Sequence, residues 1–344
     1  MGMMRCSVVI LNWNGVNMLK RYLPSVIRYT TLPDVEIVVA DNGSTDESLA
    51  FLTNFPLIRI ITLGRNYGFA EGYNRAIEQI DSQYVVLLNS DVEVTEGWLD
   101  SLMEYLDEHP GVVAVQPKIL SWLSKEEHLS DGADISFEYA GAAGGMMDVL
   151  GYPYCRGRLL DKVELDKGQY EVATPVFWTS GACMIIKTEI YKKVGGLDNS
   201  FFAHMEEIDL CWRLNSRGYQ TYYIPTSKVY HLGGGSLPYH NPKKTFFNFR
   251  NNQMMLFKNL PLHHYLIVFP LRLVLDYLSF TIFIFRGQIR DAFAVMKGRL
   301  SFWKNITQLR SKRRLNLDKT VVNFIPTMSI RSIVFDYYIR NKTN

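Results

Sequence analysis

Between Cys6 and Val115, short apolar runs rich in β-branched residues alternate with segments of helical period. Cys6 to Leu11, Val35 to Ala40, Leu57 to Leu63, Tyr84 to Leu88 and Val112 to Val115 read as buried strands. After the first run, Met18, Leu19, Leu23, Val26 and Ile27 share one side of a helix. Asp41-Asn42-Gly43-Ser44 makes a turn, with Ser44 or Thr45 as N-cap of a helix through Leu52. Phe69 to Ile80 and Glu96 to Leu106 read as two more helices, the second stopped by Pro110-Gly111. This alternation builds βαβ units, and so an α/β, Rossmann-like, mostly parallel sheet with helices on both faces. In such sheets ligands lie beyond the carboxyl ends of the strands. The polar groups there are Asn12, Asp41, Asn66 and Asn89 to Asp91, so a site is expected at that edge.

Ser121 to Glu171 reads as irregular, and Gly141 to Gly145 suit a flexible loop. Pro175 to Lys187 returns to strand character. Thr188 then caps a short helix ending at Gly195-Gly196, and Ser227 to Tyr230 is a late strand before His231, Leu232 and three glycines. From Leu262 onward the character changes. Of the 37 Lys and Arg and the 34 Asp and Glu, 14 and 4 lie there, a balance of +10 against −7 before it. The expected organisation is an acidic α/β body, residues 1–261, and an apolar, basic helical extension, residues 262–344.

Tyr265 to Phe285 is apolar but contains Pro270, Arg272 and Asp276. A clean spanning helix needs about 20 residues with few charges, and a central charge costs roughly 2.5–3.5 kcal/mol on insertion scales. The expectation is an interfacial or re-entrant hairpin. Arg286 to Arg314 would follow as an amphipathic helix on an anionic leaflet. The alternative is a helical lid on the body. A basic tail could also suit nucleic acid, but Tyr265 to Phe269 and Phe280 to Phe285 argue against that partner. Cys6, Cys155, Cys183 and Cys211 have no metal-like spacing and are too few for a disulfide scaffold, so a reducing compartment is expected. Met1 to Arg5 runs straight into a strand, and no secretory leader is expected.

The chemistry-bearing residues are few. Glu206, Glu207 and Asp209 stand at the head of a helix, behind Phe201-Phe202. Like charges so close need a reason, and a helix N-terminus gives one worth about 0.3–1 kcal/mol each. At 100° per residue Glu206 and Asp209 share a face and Glu207 points elsewhere, so one acid could face a substrate as general base while the others bind Arg213 or cap. Asp41 could accept from a pyrimidine N–H or a ribose hydroxyl, or form a turn; Asp46 is the better cap. Gly64 to Gly72 opens a helix whose backbone N–H groups could meet a diphosphate. Asp91 could hold Mg²⁺ or Mn²⁺ together with substrate phosphates, with His231 as a second ligand. Asn12-Trp13-Asn14-Gly15 stands where a dinucleotide fingerprint would, which argues against a nicotinamide enzyme.

Several motifs follow one another in order: Val8 to Gly15, Val39 to Asp46, Asn66 to Asn74, Leu87 to Asp91, Trp178 to Cys183, Val194 to Asp198 and Glu206 to Leu210, then His231 and Arg250-Asn251. With these the chain resembles the family 2 glycosyltransferases of GT-A fold, in the rhamnosyltransferase-like branch that builds bacterial surface polysaccharides. The resemblance spans roughly Ser7 to Pro261. It implies an inverting transfer of a sugar, L-rhamnose from dTDP-rhamnose first, from a nucleotide-diphosphate donor to a hydroxyl of a polyprenyl-linked or cell-surface glycan. UDP-galactofuranose, UDP-glucose and UDP-N-acetylglucosamine remain alternative donors, and an inactive glycan-binding relative an alternative function. By resemblance, Asn12, Asn14, Asp41, Asn66, Gly68, Phe69, Asn89 and Ser90 are on the donor side. Asp91 and His231 would hold the metal. Trp178, Ser180 and Gly181 would line the acceptor side. Glu207, or else Glu206, would be the base. Two residues depart from the family pattern: Asn89 replaces the first acid of the metal-binding D-x-D, and Glu207 stands where relatives carry Asp. The resemblance and the tail together imply a peripheral or monotopic enzyme at the cytoplasmic face of the plasma membrane.

Overall fold

The structure is a computed structural model and describes residues 4–233, 241–322, 324–338 and 340. Period-two alternation in the first strand sets the layering. β1 (Met4–Asn12) sends Cys6, Val8 and Ile10 into one core and Val9 into the other, all buried. α1 (Val16–Tyr29) covers the first face with Leu19, Leu23 and Val26. β2 (Val35–Asp41), α2 (Ser48–Leu52), β3 (Arg59–Thr62) and α3 (Gly68–Glu78) follow, and α3 covers the second face with Ala70, Tyr73, Ala76 and Ile77. Next come β4 (Ser82–Asn89), β5 (Val92–Val94), α4 (Asp100–Glu108) and β6 (Val112–Ser121), with α4 returning Leu102, Met103 and Leu106 to the first face.

Two helix starts move. Ser44 does not cap α2, because its hydroxyl accepts from Asn14 N at 2.9 Å and Asn12 Nδ2 at 3.1 Å. Asp46 serves both neighbouring helices, accepting from Ser48 N and Val16 N at 3.0 Å each. α4 starts at Asp100 rather than Glu96.

The stretch expected to be irregular is ordered. α5 (Trp122–Asp131) is capped by Ser121, whose hydroxyl accepts from Ser124 N at 3.3 Å, and ends on left-handed Gly132. β7 (Gly145–Met147), β8 (Pro153–Cys155), β9 (Arg158–Leu159) and β10 (Lys162–Val163) form a small antiparallel sheet. Gly141 to Gly145 are close-packing positions, not a flexible loop. A Cβ on Gly145 would lie 2.1 Å from the Trp178 indole, and one on Gly144 2.4 Å from Val176 Cγ1.

β11 (Thr174–Val176), β12 (Cys183–Lys187), α6 (Thr188–Val194), α7 (Glu206–Ser216) and β13 (Gln220–His231) complete the body. Thr188 is the first residue of α6 and makes no cap; left-handed Gly195 ends the helix as expected. The main sheet runs β11-β13-β6-β12-β4-β1-β2-β3, with β5 on β13. β4, β1, β2 and β3 are parallel neighbours, as are β6 and β13. β12 enters beside the carboxyl end of β4, Cys183 opposite Leu88, and so runs antiparallel between β4 and β6. The sheet is therefore mixed, with helices on both faces.

The extension packs on α8 (Pro242–Asn259). α9 (Leu262–Phe285) passes through Pro270 unbroken. Its buried stripe is Tyr265, Val268, Arg272 and Asp276, so both charges that weigh against lipid contact turn inward. Leu266, Ile267, Leu271, Val274, Leu278 and Ile282 remain exposed outside. Among the described residues α9 is the one helix long and apolar enough to cross a membrane by length and composition. α10 (Ile289–Lys304) turns back and inserts Gly298 against α8, where an added Cβ would lie 3.2 Å from Arg250 N and Phe246 O. One face of α10 thus packs on α8, while Ile289, Phe293, Leu300 and Trp303 stay exposed. The segment breaks at Asn305, and α11 (Ile306–Asp318) sends Lys312 to Asp198 at 2.5 Å. α12 (Ile333–Tyr338) follows, its Ile333 N donating to Asp148 at 3.0 Å. Gly234 and Gly235 lie outside the described residues.

Candidate active site

A cavity of about 430 Å³ opens at the carboxyl end of β4, where Asn89 and Asp91 follow the strand. It brings together Phe69, Asn89, Asp91, Trp178, Ser180, Gly181, Glu206, Glu207 and His231. Asn12, Asn14, Asp41, Asn66, Gly68 and Ser90 do not line it. The first three form a neighbouring cluster at the ends of β1 and β2. Asn12 Nδ2 donates to Asp41 at 3.3 Å, Asp41 accepts from Ser44 N at 3.0 Å, and Asn14 Oδ1 accepts from Thr45 N at 2.7 Å. Asn12 Oδ1 is buried without a partner.

Asn42, which sequence reasoning passed over as a turn residue, organises the next loop. Its amide donates to Gly68 O at 3.1 Å and accepts from Tyr67 N at 3.0 Å. Asn66 accepts from Gly68 N at 2.8 Å, and Phe69 N donates to Phe202 O at 2.9 Å. The N–H groups of Tyr67, Gly68 and Phe69, within the turn expected to meet a diphosphate, are thus engaged within the protein.

The loop ahead of α7 is strained. Phe202, His204 and Met205 have φ of 65°, 67° and 74°, a region that non-glycine residues seldom occupy. Arg250 and Asn251 of α8 hold it. Arg250 Nη2 donates to Phe201 O at 2.8 Å, and Asn251 Nδ2 reaches Phe201 O, Ala203 O and His204 O at 3.1, 2.8 and 2.7 Å. This explains the Arg-Asn pair of the motif set.

The helix-face grouping of the acids is corrected here. Glu206 and Glu207 both line the cavity, because the left-handed Met205 aims the first turn of α7 into it. Asp209 turns away into fully buried pairing with Arg213 at 3.0 Å, Lys258 at 2.9 Å and Asn259 at 2.8 Å. Each glutamate keeps one buried oxygen without a partner. Burial pushes the Glu207 carboxyl up to about 7. Burial, and then the neighbouring Glu207, hold Glu206 well above the usual carboxylate range.

His231 lies between two carboxylates. Nε2 is 3.1 Å from Asp91 Oδ1, and Nδ1 is 3.4 Å from Glu138 Oε2. Burial opposes its proton, but Asp91 and Glu138 outweigh that and raise its pKa to about 10. Burial likewise works against the Asp91 carboxylate, and His231 outweighs it and lowers its pKa. Among the described residues no group of three or more His, Cys, Asp or Glu could hold a metal ion. Asp91 Oδ1 and His231 Nε2 are paired by a hydrogen bond at 3.1 Å, so the imidazole has to give up its proton before both can meet a cation.

On the expected acceptor side, Trp178 Nε1 donates to Met146 O at 2.9 Å and Ser180 Oγ to Ala140 O at 2.7 Å. Their polar atoms serve the scaffold, and what they offer the cavity is surface. A Cβ on Gly181 would lie 3.4 Å from Phe69 and 3.7 Å from Glu207 Cβ, ordinary contact distances, so Gly181 sits directly against both residues. The cavity also holds Glu138, His204, Asn252, Arg158, Lys244 and Arg272, none of which sequence reasoning placed there. Burial, then Lys244, lower the His204 pKa to about 4, so the ring is neutral. Arg272 had one signal, a charge inside an apolar run; Glu138, in a stretch without period, had none.

Residues 7–195 match the family model described as glycosyl transferase family 2. Over 248 residues the chain is 29% identical to N-acetylglucosaminyl-diphospho-decaprenol L-rhamnosyltransferase of Mycobacterium tuberculosis, covering 65% of this chain and 75% of that one. Two solved structures share the fold. GalNAc-T7 with UDP, GalNAc and Mn²⁺ has a TM-score of 0.53 at 19% identity, over 67% of this chain and 43% of that one. The mannosyltransferase PcManGT of Pyrobaculum calidifontis with GDP-Man and Mn²⁺ has 0.52 at 14% identity, over 94% and 87%.

Proposed function

The chain belongs to glycosyl transferase family 2, and from that premise we propose that its cavity performs an inverting transfer of L-rhamnose from dTDP-rhamnose to a polyprenyl-diphosphate-linked glycan. The observation that carries the mechanism is Glu207, a half-buried residue whose buried Oε2 has no partner, lining the cavity that also holds Asp91 and His231. With its pKa near 7 it is ionised in part at neutral pH and basic enough to take a proton. Glu206 lies beside it, held well above the usual carboxylate range by burial and then by Glu207 itself. Asp91 and His231 would hold Mg²⁺ or Mn²⁺ together with the donor diphosphate. The cation, when bound, offsets the charge that builds on the departing nucleoside diphosphate. Glu207 Oε2 accepts the acceptor hydroxyl proton while the hydroxyl oxygen bonds to the anomeric carbon. The bond from that carbon to the diphosphate breaks on the opposite face, and the configuration inverts. Asn12 and Asp41 are the groups for the donor's base and ribose, with Asn12 Oδ1 still free to accept.

The printed name of the mycobacterial relative supports the sugar and the lipid-linked acceptor. The bare outer face of α9 beside basic α10 and α11 supports peripheral attachment to an anionic leaflet, at the cytoplasmic face of the plasma membrane. The test is release of nucleoside diphosphate from dTDP-rhamnose, UDP-glucose, UDP-galactofuranose and UDP-N-acetylglucosamine, with Mg²⁺, Mn²⁺ or chelator. Turnover of dTDP-rhamnose that chelator abolishes is expected. Turnover of a UDP-sugar instead would overturn the donor, and turnover in chelator would remove the metal. Silence with every donor and a supplied lipid-linked acceptor would overturn the transfer itself.

A further inference from the structure

Taking the cavity as the site of a lipid-linked acceptor, we propose that Arg272, stacked on Tyr152, is the subsite for the diphosphate joining the acceptor glycan to its lipid. Arg272 belongs to α9, yet it lines the same cavity as Glu207, together with Tyr152 and Asn252. It is 2% exposed. Its guanidinium lies 3.6 Å over the Tyr152 ring, and Nη1 donates to Leu150 O at 3.2 Å. Asn252 Nδ2 donates to Gly151 O at 2.7 Å and so fixes the turn that carries both.

The guanidinium is incompletely paired. Nε has no hydrogen-bond partner. The Asp276 carboxylate is 3.9 Å from Nη2, and Arg299 of α10 holds that acid more closely. Asp148 is within electrostatic reach, but its oxygens accept from Leu150 N, Tyr152 N and Ile333 N. A buried cation with an unused N–H carries a penalty that an anionic oxygen removes, and the planar guanidinium suits two oxygens of a diphosphate. Arg158, whose Nε is also without a partner, and Lys244 add positive charge to the cavity.

Placement points to the class of anion. Leu271, Val274 and Leu278 are exposed on the same two turns of α9 that carry Arg272. A phosphate at Arg272 would therefore have the glycan cavity on one side and an apolar outer surface on the other. That order of sugar, phosphate and hydrocarbon is the order of atoms in a lipid-diphosphate glycan.

The test is thermal unfolding of the full chain in neutral detergent with saturating dTDP, the nucleotide of the proposed donor, so that the donor site is filled. The probes are farnesyl diphosphate, farnesol, inorganic pyrophosphate and phosphatidylglycerol. Farnesyl diphosphate should raise Tm by several degrees, farnesol and pyrophosphate by much less, and Arg272→Gln should lose the difference. Equal shifts with farnesol, or an undiminished shift in the variant, would overturn the subsite. An equal shift with phosphatidylglycerol would reassign it to a bilayer headgroup, and one with pyrophosphate to free phosphate; either overturns the acceptor assignment. If Arg272→Gln does not fold, the probe series on the unaltered protein decides alone. This readout needs no turnover. A retained shift with every donor inert would strike the transfer reading and leave the subsite. Turnover with no shift would strike only the subsite.

Discussion

Asn251 is the place to test how the loop ahead of α7 is held. Its side-chain amide is fully buried, and its two hydrogens serve three carbonyls at 2.7–3.1 Å. Two net hydrogen bonds at about 1 kcal/mol each, plus carbonyls left without a donor, put Asn251→Ala at roughly 2–4 kcal/mol. The three left-handed residues it restrains cost of order 1–3 kcal/mol each and persist only under such constraint. The loop should therefore relax in the variant, and with it the aim of Glu207. Asn251→Asp is the sharper case, because it turns an oxygen toward three carbonyl oxygens, and it should be less stable than Asn251→Ala. Urea unfolding gives the stabilities, and sugar transfer with nucleotide affinity gives the function. Transfer should fall at least tenfold while nucleotide affinity changes little, since Asn12 and Asp41 stand elsewhere. An Asn251→Asp protein as stable and active as the unaltered chain would refute the clamp.

Glu207→Gln should lower kcat by about 10²–10⁴-fold with nucleotide binding kept, and in the unaltered enzyme kcat/KM should rise with pH through about 7 as Glu207 of the free enzyme loses its proton; a flat acid limb would point to another base. Asp148, wholly buried, is raised by burial to about 6 from an ordinary 3.8. A carboxyl raised on folding favours the folded state when protonated. Stability should thus fall by about 3 kcal/mol as pH climbs from 4 to 6 and level off above, a slope absent in Asp148→Asn. Gly145→Ala forces a methyl to 2.1 Å from Trp178; a loss of about 1–3 kcal/mol is expected by denaturant melt, and an unchanged midpoint would contradict the packing.

The parallel half of the sheet was legible because each strand and helix there carries its own period: Val9 against Val8 and Ile10, Leu19 with Leu23 and Val26. α5 was missed although Ser121 and Gly132 mark its ends, because its outer residues are polar and Leu123 and Leu129 are exposed. The small sheet of β7 to β10 has strands of two or three residues, too short for alternation to register. Asp91, His231 and the two glutamates were found by motif, and the cavity does collect them. Glu138, Asn252 and Arg272 reach it through contacts distant in sequence, which no local pattern encodes. Asp209 binds Arg213, as the sequence allowed, but nothing local announced its further partners Lys258 and Asn259, some 50 residues away.

One helix stands between the cavity and the exposed apolar face of the extension, since Arg272 lines the first and Leu271 belongs to the second. An α-helix is about 10–12 Å thick with its side chains. For a lipid-borne substrate that thickness governs the work of extraction. Hydrocarbon drawn into water costs about 0.8 kcal/mol per CH₂, and under the proposed attachment a cavity one helix from the bilayer would leave the chain where it is soluble. The sugar end alone has to travel, so residence in the membrane becomes a rehearsal for binding rather than a barrier to it.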